Sequence, residues 1–272
     1  MPLSPFQERV MRALAARRTP ESYVAGGSPI TDVSARISGD IDIFHDRESL
    51  VEKAAQADCK VLEGLGLAVE WVQRLPGIWR CVVKGGPEPL RLDWAHDSAF
   101  RFYPAKADPK FGYVLHPADL MTNKVLAAAG RSQPRDLVDM ATLSADVPIV
   151  AGILAAVGKD PGMTPDTVID NIAMFGRHNQ SAFDRLRSTG PIDGAAVQTQ
   201  VREALTVART LAEKLPAKSF GRLFIEDGRI VVPDPDRLDT YRVRSPSKSG
   251  VIPHTDGMSA GEMAKRYKGY ER

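Results

Sequence analysis

The chain has 272 residues, 43% of them hydrophobic and 26% charged, a balance that buries one large core or two modest ones and excludes a fibrous or disordered protein. A formal net charge of +2 is too even to imply nucleic-acid binding by itself, so any basic surface must be local. The two cysteines, Cys59 and Cys81, stand in no CxxC or Cys/His spacing, which argues against a disulfide framework or a structural zinc site.

The opening MPLSPFQERVMRALAARR lacks an apolar leader core and no later run reaches membrane length, so a cytoplasmic protein with no membrane partner is expected. Residues 4–18 read as a first helix, with Ser4 as N-cap, Pro5 at its first position and Phe6, Val10, Met11 and Leu14 on one face. Residues 23–25 form a short strand that stops at Gly26-Gly27, and 41–44 form a second. A helix over 50–65 ends at Gly66, and strands are predicted at 68–73, 79–84 and 90–95, with Pro76-Gly77 and Gly85-Gly86-Pro87 as turns. From Pro117 the periodicity is helical: 117–130, a helix opened by Pro134, then 148–158, 164–175 and 193–214. Asp227-Gly228 predicts a hairpin between 223–226 and 229–232. The tail from Pro233 reads as irregular, with a last short helix at 259–268. The expected fold class is α/β (α+β): a mixed sheet with flanking helices as a catalytic domain over 1–115, a helical domain over 116–232 that closes the cleft, and a tail over 233–272.

One stretch breaks the logic of a core strand. Asp40 and Asp42 alternate with Ile41 and Ile43, so both carboxylates project from one strand face a few ångströms apart. Carboxylates that close repel unless a cation stands between them or one stays protonated. A hard oxygen set suits Mg²⁺, which keeps open positions for phosphate. The Gly26-Gly27-Ser28 turn supplies a second part: glycines admit close backbone approach, and a serine hydroxyl at such a turn can bond a phosphate oxygen.

Gly26-Gly27-Ser28, eleven residues, then Asp40-Ile41-Asp42 resembles the G-G/S…D-x-D signature of the polymerase-β-like nucleotidyltransferases, with Arg36 and Ser38 just ahead of the aspartates. The resemblance implies a third carboxylate on a later strand, a place that Asp93 in LRLDWA fits. Residues 119–143, DLMTNKVLAAAGRSQPRDLVDMATL, are similar to the corresponding segment of the abortive-infection (AbiEii/AbiGii-type) nucleotidyltransferase toxins. There the matching positions are Lys124, Arg131, Arg135, Asp136 and Asp139. The two resemblances cover about residues 20–145.

They imply nucleotidyl transfer from an NTP bound by Gly26, Gly27, Ser28, Arg36, Lys124, Arg135, Asp136 and Asp139, on two Mg²⁺ ions held by Asp40, Asp42 and Asp93. Lys124 would neutralise the leaving phosphates, and Asp93 would help deprotonate the acceptor. The implied acceptor is RNA, tRNA above all, or a protein side chain, and a cognate antitoxin is the implied partner. Two other readings stay open: a transferase acting on a small-molecule (antibiotic) hydroxyl, and a non-catalytic nucleotide- or RNA-binding module. Simpler roles compete at each position. Lys124 by default is a solvated helix lysine, and Arg135 and Asp139, four residues apart, suit a surface ion pair. His45, His96 and His116 suit structural roles, and Asp46 falls in a loop beyond the strand.

Overall fold

A computed structural model describes residues 3–30 and 33–247. The helix expected at 259–268 lies outside the described residues. Helix α1 (Pro5–Ala15) starts on the expected capping box: Ser4 Oγ accepts from Gln7 N, and Gln7 Oε1 accepts from Ser4 N at 2.9 Å. It stops before the predicted end, because Arg17 and Arg18 turn back to a carboxylate of the next helix. Strands β1 (Ser22–Ala25) and β2 (Asp40–His45) pair antiparallel, and α2 (Glu48–Gly64) follows. The meander is β3 (Ala68–Leu75), β4 (Ile78–Lys84) and β5 (Leu90–His96).

Two short strands escaped the sequence reading, β6 (Lys106–Asp108) and β7 (Gly112–Val114), three residues each and therefore without a visible alternation. They complete, among the described residues, a seven-stranded sheet in the order β3-β4-β5-β2-β1-β7-β6. The neighbours β2 and β5 run parallel, which aligns Asp42 with Asp93.

Alternation decides the two faces. Ile41 and Ile43 of β2, Cys81 and Val83 of β4, and Leu92 and Trp94 of β5 pack against α1 and α2 in one core. Behind that face Asp58 of α2, fully buried, accepts from Arg17, Arg18 and Trp94 Nε1, which locks α1, α2 and β5 together. Cys59 and Cys81, distant in sequence, meet there as free thiols with their sulfurs 4.0 Å apart.

The second core is helical: α3 (Pro117–Gly130), α4 (Pro134–Leu143), α5 (Ile149–Ala156), α6 (Pro165–Phe175) and α8 (Gly194–Lys214), with a short α7 (Gln180–Asp184) that the sequence reading missed. Helix α3 is its hub and packs on α4, α5 and α6. His116 caps it, Nδ1 accepting from Ala118 N, while Asp119 accepts from Phe102 N at 2.7 Å and Tyr103 N at 3.1 Å. These roles for His116 are structural, as expected.

The hairpin forms as read, β8 (Leu223–Glu226) and β9 (Arg229–Val231), with Asp227 and Gly228 at φ 50° and 77° in the turn. Beyond Pro233 the chain departs from the irregular reading: a 3-10 turn covers Pro235–Thr240, and β10 (Arg242–Arg244) pairs with β8. Among the described residues no helix is long and apolar enough to cross a membrane.

Candidate active site

The same alternation that sends Ile41 and Ile43 inward turns Asp40, Asp42 and Phe44 of β2, and Arg91 and Asp93 of β5, to the opposite face. With Arg80 of β4 they line one wall of a cleft of about 390 Å³; α3 and the start of α4 form the other wall. That volume suits a small ligand such as a nucleotide.

The two glycines do more specific work than admitting a phosphate. Gly26 has φ +68°, and a Cβ there would lie 2.0 Å from Asp42 Oδ2. A Cβ on Gly27 would lie 1.9 Å from Arg36 Nη2. The glycines therefore make room for the site's own charged groups. Ser28 departs from its expected role. It is fully buried, and its hydroxyl donates to the Asp40 carbonyl at 2.8 Å, so it braces the entry of β2 from behind the cleft.

The carboxylates are unequally partnered. Asp93 receives a bidentate pair from Arg80, at 2.8 and 2.6 Å. Asp40 accepts from Ser38 Oγ at 3.0 Å and pairs with Arg91, while Arg135 stands 3.7 Å away. Asp42 has neither ion pair nor hydrogen bond among the described residues. Burial first, then the charges of Asp40 and Asp93, push its carboxyl up to about 6. A positive charge placed among these carboxylates would relieve that repulsion. Among the described residues no three acidic, histidine or cysteine side chains are gathered closely enough to ligate a metal as they stand; Arg80 and Arg91 hold two of the three carboxylates. The donor set and the uncompensated repulsion at Asp42 nonetheless fit a divalent cation, to which the guanidinium groups would yield their oxygens.

The opposite wall is a chain of charges. Leu120, Asn123, Lys124 and Ala127 share the helical face of α3 that looks into the cleft. Lys124 is buried, not solvated, and contacts Asp139 at 2.6 Å and Asp136 at 3.4 Å. Asp136 also takes a bidentate pair from Arg131 at 2.7 and 2.9 Å. Burial pushes Asp136 up, but Arg131 and Lys124 outweigh it and hold its carboxyl below the usual range. Asp139 takes a bidentate pair from Arg36, at 2.8 and 2.9 Å. The expected contact of Asp136 and Asp139 with nucleotide is corrected: both are fully buried and stand behind the cleft, aiming Lys124, Arg36 and Arg131. The alternative pair between Arg135 and Asp139 does not form either, because Arg36 and Lys124 occupy Asp139 and Arg135 turns towards Asp40.

The loop that carries Arg36 is pinned from far along the chain. Ile37 N donates to Arg187 O at 2.8 Å, Thr189 N donates to Ala35 O at 2.9 Å, and Arg36 and Ser188 form an isolated bridge. Gln7 Nε2 of α1 holds the next residues through Ser38 O at 2.8 Å.

Of the expected site residues, Gly26, Gly27, Arg36, Asp40, Asp42, Asp93, Lys124, Arg131 and Arg135 line the cleft, and Ser28, Asp136 and Asp139 support them. Asp46 is outside it, paired with Arg101, and His45 is buried in β2 with its imidazole pushed down to about 4 by burial and by Arg18. The sequence reading missed Arg80, Arg91, Asp97, Asn123 and Lys159. Arg91 was legible, two residues before Asp93 and hence on its strand face; Lys159 was not, since only the helical packing brings it here.

No protein-family model matches the chain, and no curated protein sequence does. Among solved structures, the nucleotidyltransferase toxin MenT4 of Mycobacterium tuberculosis H37Rv superposes over 79% of this chain and 84% of its own, with a TM-score of 0.56 at 15% identity. JHP933 of Helicobacter pylori covers 78% and 95%, at 16% identity and a TM-score of 0.42, too low to weigh. The chain thus shares the fold of the MenT4 structure, an α/β sheet with flanking helices.

Proposed function

We propose that this chain is a nucleotidyltransferase that moves an NMP from an NTP to an acceptor hydroxyl, as a toxin-like enzyme acting on RNA, tRNA above all, or on protein. The observation that carries the reading is the cleft itself: Asp40, Asp42 and Asp93 on adjacent strands, facing Lys124, Arg36, Arg131 and Arg135 across a nucleotide-sized gap. Asp40, Asp42 and Asp93 would hold Mg²⁺, two ions in the usual arrangement, and the metal supplies charge neutralisation at the reacting phosphate.

The protein's own residues do the rest. The cationic wall binds the triphosphate, and Lys124, fixed by two buried carboxylates, meets the charge that grows on the departing pyrophosphate without having to reorganise. The acceptor oxygen forms its bond to the α-phosphorus as the bond to the bridging oxygen breaks, and pyrophosphate leaves in line. Asp93, on the neighbouring strand β5, takes the acceptor proton.

Incubation of the protein with each labelled NTP, Mg²⁺ and either total RNA or cell protein tests this. Label on RNA or on protein supports the reading and names the acceptor. Label on neither, with NTP still bound, would leave a non-catalytic nucleotide-binding module. An antitoxin partner is part of the proposal, tested by co-expression with the neighbouring gene's product and loss of toxicity.

A further inference from the structure

The cleft has two chemically unlike ends. At one stand Gly26, Gly27 and the cations Arg36, Arg131 and Arg135. At the other stand the Phe44 ring and Leu120, beside a polar trio contributed by three separate elements. Lys159, just after α5, donates to Asp97 Oδ2 at 2.7 Å and to Asn123 Oδ1 at 2.6 Å. Asp97, just after β5, also accepts from Ser98 N at 2.8 Å. Asn123 precedes Lys124 on α3. The side chains of Lys159 and Asp97 are only 13% and 18% exposed, so this trio is held largely out of water.

We propose that Asn123, Lys159 and Asp97 read the nucleobase of the incoming NTP and select a base that carries an exocyclic amine. The proposal rests on the nucleotidyl-transfer reading. Phe44 follows Asp42 by two residues on the same strand face, roughly 6–7 Å along β2. An apolar ring at that distance from the carboxylates offers a base a surface to stack on. Lys159 spends two of its three donors inside the trio, and the Asn123 amide nitrogen has no partner among the described residues, so N–H donors remain for a ligand. Beside them stands the Asp97 carboxylate, an acceptor. Adjacent donors and a carboxylate complement a base edge with a carbonyl or ring-nitrogen acceptor next to an amine, as in cytosine, adenine or guanine. Uracil can meet the carboxylate only through its ring N3–H, which a carbonyl oxygen flanks on either side, so the carboxylate would lie against a repulsive oxygen that an exocyclic amine at the base edge avoids.

A purely structural trio would only clasp the helical half to the sheet, so the test reads preference. Equilibrium binding of the four NTPs to the full-length protein with Mg²⁺ and no acceptor, alongside inorganic tripolyphosphate as a probe of the cationic end, separates the two. The wild type should bind at least one amine-bearing NTP on the order of tenfold more tightly than UTP. In Asn123→Leu and in Asp97→Asn that gap should shrink to within about threefold, with tripolyphosphate affinity unchanged and each variant's melting confirming a folded protein. Lys159→Met should act in the same direction. A gap that survives in the folded variants, or a wild type that binds all four NTPs alike, overturns the assignment while leaving nucleotidyl transfer standing. A wild type that binds neither NTP nor tripolyphosphate removes both.

Discussion

Asp42→Asn should make the metal-free protein more stable and the enzyme inactive. In the folded chain the Asp42 carboxyl is raised from 3.8 to about 6, by burial first and by Asp40 and Asp93 next. A carboxyl with a raised folded value binds more protons folded than unfolded between pH 4 and 6, so stability falls as pH rises through that window. The cost is absent below pH 4 and complete above pH 7. At about 1.4 kcal/mol per pH unit the rise corresponds to about 3 kcal/mol at most; partial exposure of the side chain trims this to about 1–3 kcal/mol. For a protein of this size the neutral amide should then raise Tm by roughly 3–10 °C at pH 8 and by almost nothing at pH 4. Mg²⁺ should raise the wild type's Tm at pH 8 more than the variant's, since only the wild type has the uncompensated charge. Differential scanning calorimetry at the two pH values, with and without Mg²⁺, and label transfer at pH 8 make up the assay. A variant less stable than wild type at pH 8, or transferring label at a wild-type rate, would refute the reasoning.

Lys124→Ala should lower single-turnover transfer on the order of 10²-fold and, unlike an exposed lysine, should also cost about 1–3 kcal/mol in chemical denaturation, because two buried carboxylates lose a partner. Lys124→Arg should restore stability better than rate, since a planar guanidinium does not replace a compact ammonium. Gly27→Val should displace Arg36 from Asp139 and weaken NTP binding in titration, with the fold retained by circular dichroism; an unchanged Kd would exclude Arg36 from the site. Asp58→Ala, on the far face of the sheet, leaves Arg18 buried without a counter-charge and should cost about 3–5 kcal/mol in urea unfolding without altering the ranking of the four NTPs.

The carboxylate wall was legible because strand alternation is local. Asp40, Asp42 and the strand around Asp93 announce their common face in a few residues, and the cap at Ser4 and the prolines at the first helical positions, Pro117 and Pro165, mark helix starts as plainly. What the sequence hid was long-range. That Ser28 turns inward, that Asp136 and Asp139 aim cations instead of touching ligand, and that Lys124 is buried all depend on how α3 and α4 seat against the loop at Arg36. The polar trio at the far end of the cleft was hidden for the same reason: Asp97, Asn123 and Lys159 belong to three elements whose meeting no periodicity encodes. The short β6 and β7 carry too few residues to show a pattern, and β10 is a strand only because β8 offers it an edge.

The pinning of the Arg36 loop imposes an order on biosynthesis. Asp40 and Asp42 leave the ribosome early, followed by Asp93, while Asp139, which orients Arg36, lies 103 residues beyond it in sequence. Arg187 and Thr189, which hold the loop's backbone, emerge later still. A nascent chain therefore carries all three cleft carboxylates well before Arg36, the cation opposite them, has a fixed position. If the finished protein harms its own cell, that delay keeps the nascent chain inert until Thr189 has emerged, and it leaves a window in which a partner could meet it.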